Sequence, residues 1–447
     1  MKQTLSLSQY ILVGSMLFGM FFGAGNLIFP VHLGQEAGSN ILAANIGFML
    51  TAIGLPFLGI IAMGVSRSNG LFDLASRINT TYAHFITIAL YLSIGPAFAL
   101  PRTAAVSFEI GFASHIDSSM QTIYLAVFTI IFFLLALFFA LKPGKIIIWI
   151  GKFLNPLFLV FLAILIVTAF INPMGSPADM AAQGAYQNEA LTKGIIEGYN
   201  TMDALASLAF GIIVIHTLYD LGLKHPKDIA LGTLKAGIVV LILMGIIYSA
   251  LSYIGATSLG QLPLSANGGI ALADISTYYF GSFGHILLAS TVTVACLKTA
   301  IGLITACSTT FSELYPNTLS YKSYVYLITL VSFLISNVGL TSIIYLAIPI
   351  LMLLYPLAIT LILLAFIDAI CGYHRYVYVC TTILTLIAAI GDMLNALPFG
   401  LNEISAINSI IEIYHNTLPF FDIGMGWILP AIIGLVIGTV ITVLTKK

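Results

Sequence analysis

Apolar residues run almost unbroken along this chain, in stretches of about twenty or more parted by charged or Gly/Pro-rich joints. A helix needs about 20 such residues to cross the hydrocarbon of a bilayer. The pattern predicts twelve spans, at roughly 9–33, 41–64, 84–113, 121–141, 146–171, 195–220, 230–256, 283–311, 323–338, 341–367, 376–397 and 424–445. Strands of an outer-membrane barrel would instead alternate apolar and polar positions over about ten residues. The expected fold class is therefore an all-α polytopic membrane protein. The outer loops at 172–194 and 398–423 are long enough for short surface helices, and 261–284 reads as a plain loop or a lid.

The first run is interrupted in its middle. GMFFGAGNLIFPVHLG (19–34) holds four glycines, an asparagine and a proline. Backbone N–H and C=O groups cannot stay unpaired in lipid, so a true break has to face protein or a cavity. Gly23 and Gly25 ease unwinding, and Pro30 frees a carbonyl about one turn earlier. An unwound segment supplies N–H groups for a carboxylate at one half-helix and carbonyls for a cation or an ammonium at the other. The alternative is a small-residue face for close helix packing. A second interruption, MDALASLAFGIIVIHTL (202–218), carries Asp203, Ser207, Ala209 and Gly211 in an apolar frame. Paired interruptions at matching places in two halves point to a transporter site.

Composition narrows the class further. Of 447 residues, 60% are hydrophobic and 7% charged, too few charges to cover a soluble domain of this size. A net charge of −1 gives no basic footprint for nucleic acid. Thirteen of the sixteen lysines and arginines fall on one side of the twelve-span scheme if the N-terminus is cytoplasmic; Lys193 lies outside, and Arg102 and Lys298 fall within spans. That bias puts both termini in the cytoplasm. The four cysteines show no CxxC spacing, so neither a disulfide framework nor a zinc site is expected. No nucleotide-binding motif, HExxH pair or GxSxG elbow occurs, which argues against an ATPase or an intramembrane enzyme. A channel would favour a symmetric pore over two unlike broken helices.

The blocks FFGAGNLIFP, GPAFALPRTAAVSFEIG (95–111), TMDALASLAFGI (201–212) and ACLKTAIGLITAC (295–307) resemble, in order, those of the bacterial branched-chain amino acid carriers of the BrnQ type. The resemblance runs from about residue 9 to at least 310. It implies a LeuT-like core of two inverted five-helix repeats, here 9–172 and 195–367, with two further helices at 376–445, all in one membrane domain over 1–447. It also implies uptake of leucine, isoleucine and valine across the bacterial cytoplasmic membrane, typically coupled to Na+. H+ is the alternative coupling ion, and no other cofactor and no ATPase subunit is expected. Residue by residue, Gly23, Ala24, Gly25 and Asn26 would meet the substrate carboxylate. Ser207, Ala209, Phe210 and Gly211, at a sixth-helix break, would line the side-chain pocket. Carbonyls near Gly19 and Phe22, with the hydroxyl of Thr299, would hold the ion. A carrier of another small neutral amino acid is the competing reading.

Three positions depart from the family pattern: Val31 stands where a second proline is expected, His32 is unexpected, and Lys298 replaces an uncharged residue. A lysine inside a span is costly. It either stands in for the sodium ion, making uptake sodium-independent or proton-coupled, or pairs structurally with a carboxylate such as Glu109. Arg102 and Glu109 are seven residues apart, nearly on one helical face, and either pin span three or gate a polar path. Asp203 caps the half-helix or pairs at an outer gate.

Overall fold

The structure is a computed structural model that describes residues 5–445 apart from 67, 69, 114–115, 142–154 and 224. Lys2, Arg67, Lys142, Lys145, Lys152, Lys224, Lys446 and Lys447, used above to orient the chain, lie outside the described residues. No strand occurs among the described residues. Eight helices there are long and apolar enough to cross a membrane; Leu7–Phe21, Leu162–Ile171 and Tyr321–Ser336 are apolar but shorter. The expected twelve is not reached by that measure, because breaks divide some spans, others are short, and the expected span at 146–171 lies partly outside the described residues.

The first half of the chain builds α1 (Leu7–Phe21), α2 (Ala24–Ala37), α3 (Ile41–Met49), α4 (Leu55–Ser66), α5 (Leu71–Ser76), α6 (Thr80–Leu92), α7 (Ala99–Gly111), α8 (Ser118–Ala140) and α9 (Asn155–Ile171). After a loop of short turns come α10 (Ala190–Glu197), α11 (Asp203–Asp220), α12 (Pro226–Ser258), α13 (Gly268–Leu314), α14 (Tyr321–Ser336) and α15 (Leu340–Cys371). Two more membrane helices, α16 (Arg375–Asn395) and α18 (Ile428–Thr445), flank the exposed α17 (Ser405–Thr417), a surface helix in the loop where one was expected.

Polar side chains start several helices. Ser6 and Gln9 form a reciprocal capping box at α1, while Asn79, Asn267 and Ser320 cap α6, α13 and α14. At Pro96 a π turn over Ser93–Ala97, with Gly95 out of helical conformation, separates α6 from α7. The segment read as a loop or lid at 261–284 is largely helical. It forms the start of α13, which bends at Gly281 (φ 58°, ψ −150°). That conformation suits a residue without a Cβ.

Small residues bring the helices of the core together. In lipid, association depends on close backbone approach and not on apolar burial alone. A Cβ on Gly255 of α12 would fall 2.0 Å from the Val31 carbonyl of α2, and one on Gly34 of α2 would fall 2.0 Å from the Ser252 carbonyl. The start of α13 is held as closely, since a Cβ on Gly268 would lie 1.8 Å from the Ile28 carbonyl. The outer pair follows the same rule, with Gly434 and Gly438 of α18 set against the backbone of α16 around Tyr376–Thr381. Gly255→Ala is expected to destabilise the protein by about 1–3 kcal/mol through overpacking. Gly64→Ala, where the nearest atom is 3.5 Å away, should leave the melting temperature in detergent unchanged. Equal melting of the two variants would contradict this packing.

Candidate functional site

The first span breaks where its sequence suggests. Phe22 leaves the helix (φ −70°, ψ 98°) and Gly23 is extended (φ −125°, ψ −157°); α2 begins at Ala24. Two residues are enough to strip the last carbonyls of α1 and the first amides of α2 of intrahelical partners. One is recovered at once: the Asn26 Oδ1 accepts a hydrogen bond from the Gly23 N–H at 2.8 Å. Pro30, inside α2, cannot donate to the Asn26 carbonyl one turn back.

The second break is a correction to the sequence reading. Helix α11 runs unbroken through Ser207, Ala209, Phe210 and Gly211. The interruption lies one turn earlier, where α10 passes through a 3₁₀ turn (Gly198–Thr201) into Met202, which is left-handed (φ 62°, ψ 11°). The small residues at 207–211 form a packing face instead. Ser207 Oγ donates to the Ala204 carbonyl at 2.7 Å and abuts Gly59 of α4, while Gly211 abuts Met63. The Ala209 carbonyl accepts from the Tyr91 hydroxyl at 3.3 Å. None of these three lines the cavity described below.

A buried hydrogen-bonded cluster joins the two breaks. Asp203, the first residue of α11, accepts from Asn26 Nδ2 at 2.5 Å and from the Tyr248 hydroxyl of α12 at 3.1 Å. Asn26 Nδ2 also donates to the Tyr248 hydroxyl. Its amide thus serves Gly23 on one side and Asp203 on the other. A carboxylate in the first turn of a helix also complements the helix dipole. The backbone N–H of Asp203 meets Thr201 Oγ1 at 3.4 Å.

Beside this cluster lies a small cavity. Gly23, Gly25, Asn26, Thr201, Asp203, Arg102 and Thr299 form its polar lining. Phe21, Ile94, Ala99, Ala206, Phe210 and Leu303 form an apolar counterpart. Thr299, on α13, faces the first break so closely that a Cβ on Gly23 would come 3.1 Å from its hydroxyl oxygen. Arg102, on α7, donates from Nη1 to the Asn200 carbonyl at 2.7 Å and from Nη2 to the Thr201 carbonyl at 3.5 Å, and so caps the turn that ends at the second break.

The other expected residues fall around the cavity. Gly19 and Phe22 are buried at the end of α1. Ala24 opens α2, and its side chain is outside what the structure describes. Lys298 is buried but does not line the cavity. Glu109 lies farther along α7, where its carboxylate accepts from Asn267 at the start of α13 (3.4 Å). Sequence reasoning missed Ile94, Ala206, Leu303 and Tyr248. Each sits in an ordinary apolar stretch with no local mark, apart from Ile94, which adjoins the Gly95–Pro96 interruption.

A double-mutant cycle tests the link between the breaks. Asn26→Ala and Asp203→Ala should each cost about 1–3 kcal/mol or more, because each strands a buried polar partner. Their effects on stability should be non-additive by about 0.5–3 kcal/mol. Additive losses would show that the two residues act independently.

Comparison with known proteins identifies the family of this chain. The family model described as branched-chain amino acid transport protein matches residues 6–445. The branched-chain amino acid permease BrnQ of Lactobacillus delbrueckii subsp. lactis is 44% identical, and the alignment covers 100% of both chains. BrnQ of Bacillus subtilis is 42% identical, again over 100% of both, and B. subtilis BraB is 42% identical over 99% of this chain and 97% of that protein. Among solved structures, the nucleobase-cation-symport-1 family transporter Mhp1 superposes with a TM-score of 0.58 at 15% identity, covering 96% of this chain and 91% of Mhp1. MhsT in complex with L-phenylalanine superposes with a TM-score of 0.56 at 16% identity, covering 87% of this chain and 100% of MhsT. These structural likenesses establish the fold alone, and they bear out the expected LeuT-like, all-α membrane architecture. With a family model spanning nearly its whole length and relatives above 40% identity from end to end, the chain belongs to the branched-chain amino acid transport proteins.

Proposed function

We propose that this chain imports leucine, isoleucine and valine across the bacterial cytoplasmic membrane by sodium symport, with both termini in the cytoplasm. The observation that carries the reading is one cavity in which two helix breaks meet an apolar wall of Ile94, Ala206, Phe210 and Leu303. A zwitterion with an aliphatic side chain matches that lining: charged ends at the breaks, hydrocarbon against the wall. The permease names of its full-length relatives support the same substrate class.

The sodium reading draws on the end of α1. Carbonyls near Gly19 and Phe22 belong to a helix C-terminus, where the dipole favours a cation. Thr299 adds a hydroxyl beside Gly23. An ion held there would stabilise the unwound backbone and so raise substrate affinity, which is coupling in the thermodynamic sense. Lys298 as a stand-in for sodium is the second reading, and its burial next to Thr299 is what favours it. Transport then requires the bundle with α1, α2 and α11 to rock against the rest about the fixed site, within two five-helix repeats at 9–172 and 195–367.

Purified protein in proteoliposomes should take up labelled leucine under an inward sodium gradient, with isoleucine and valine competing and alanine and proline not. Uptake driven by a proton gradient, or exchange without either gradient, would move the coupling role to Lys298. Absence of leucine uptake by folded protein would overturn the substrate assignment.

A further inference from the structure

We propose that Arg102 is the receptor for the substrate's α-carboxylate, working with the amide end of α2. The inference deepens the reading above and rests on it. There the carboxylate is held by backbone N–H groups of the first break; the structure adds a fixed positive charge to the same spot.

Arg102 is only 4% exposed, yet it forms part of the cavity wall. Its hydrogen bonds go to neutral carbonyls, those of Asn200 and Thr201. Its Nε is buried with no hydrogen-bond partner. Among the described residues no carboxylate oxygen lies within 4.0 Å of its nitrogens. Asp203 shares the cavity wall but does not touch the guanidinium; a buried cation without a contacting anion is costly, and a guanidinium has five donors to satisfy. Asp203, the other charged group in the cavity, is committed to Asn26 and Tyr248.

The guanidinium packs against the first turn of α2. A Cβ on Gly25 would fall 2.9 Å from Arg102 Nη2 and 3.3 Å from Cζ, so the absence of a side chain there lets the fork face the first turn of α2. That helix is fourteen residues long and presents its free amides at this end. The ring of Phe29, 5.1 Å from Cζ, steadies the guanidinium plane by cation–π contact. A planar carboxylate at the edge of the fork, beside the amides, would take charge-assisted hydrogen bonds from both. Lysine offers a point charge and no fork, so it is a poor replacement.

The test compares leucine with leucinamide, which keeps the ammonium and the side chain but has no carboxylate, at a pH where both amines are protonated. Affinities are measured on the purified full-length protein in nanodiscs, with alanine and alaninamide in parallel. Wild-type protein should prefer leucine to leucinamide by about 10- to 100-fold. Arg102→Gln should weaken leucine by a similar factor, leave leucinamide within about 3-fold, and erase the preference. Arg102→Lys should restore it only in part. Equal weakening of leucine and leucinamide in a folded Arg102→Gln protein would reduce Arg102 to a structural tie and overturn the proposal. So would an unchanged preference. If Arg102→Gln does not fold, Gly25→Ala, which crowds the fork from the α2 side, carries the same test: loss of preference supports the proposal and a retained preference overturns it. A wild-type protein that takes alanine but not leucine would overturn the substrate reading alone, with Arg102 still judged on the alanine pair.

Discussion

The organising constraint is that a backbone broken inside a membrane has to be re-paired by protein. Each helix end leaves donors or acceptors without intrahelical partners, and hydrocarbon offers none. Here two breaks are placed against one another and joined by side chains, so that Asn26 serves Gly23 and Asp203 together and Tyr248 closes the cluster from α12. The same arrangement leaves one amide end, that of α2, and one carbonyl end, that of α1, beside a common cavity. On the proposed reading, binding chemistry is a by-product of unfinished helices, sharpened by Arg102 and Thr299 from the two neighbouring spans.

The rest of the structure holds that cluster in register. Glycine contacts press α2 onto α12 and onto the start of α13, fixing the first break from two sides. The second break depends on Met202, a non-glycine residue in left-handed conformation, which costs of order 1–3 kcal/mol and persists only where its surroundings enforce it. Arg102, bound to the carbonyls just before Met202, and Asp203, bound just after it, are those surroundings. A substrate carboxylate drawn to Arg102 would therefore act directly on the residue that keeps the second break in shape.

Legibility differed between the two breaks for a physical reason. The first joins Gly23, Gly25, Asn26 and Pro30 inside an apolar run, a set that no regular membrane helix favours, and it was readable. At the second, Ser207, Ala209 and Gly211 carry the signature of an unwound turn and of a packing face alike, and only the neighbouring Gly59 and Met63 decide between them. The true interruption falls at Met202, in a GYNTMD stretch whose polarity reads as a loop end. The costly charges Arg102 and Asp203 stood out in sequence, but their partners are 98 and 177 residues away along the chain. Tyr248 carries no local signal, because a tyrosine in a span is most often a packing or interfacial residue.

The most direct measurement is a structure of the protein in nanodiscs with leucine bound, solved by electron cryo-microscopy with a bound antibody fragment as a fiducial. The account predicts leucine density between the start of α2 and Phe210, with its carboxylate at Gly25 and Arg102 and the Asn26–Asp203 contact intact. Leucine found elsewhere, with this cavity closed and the two breaks joined as they are here, would contradict it.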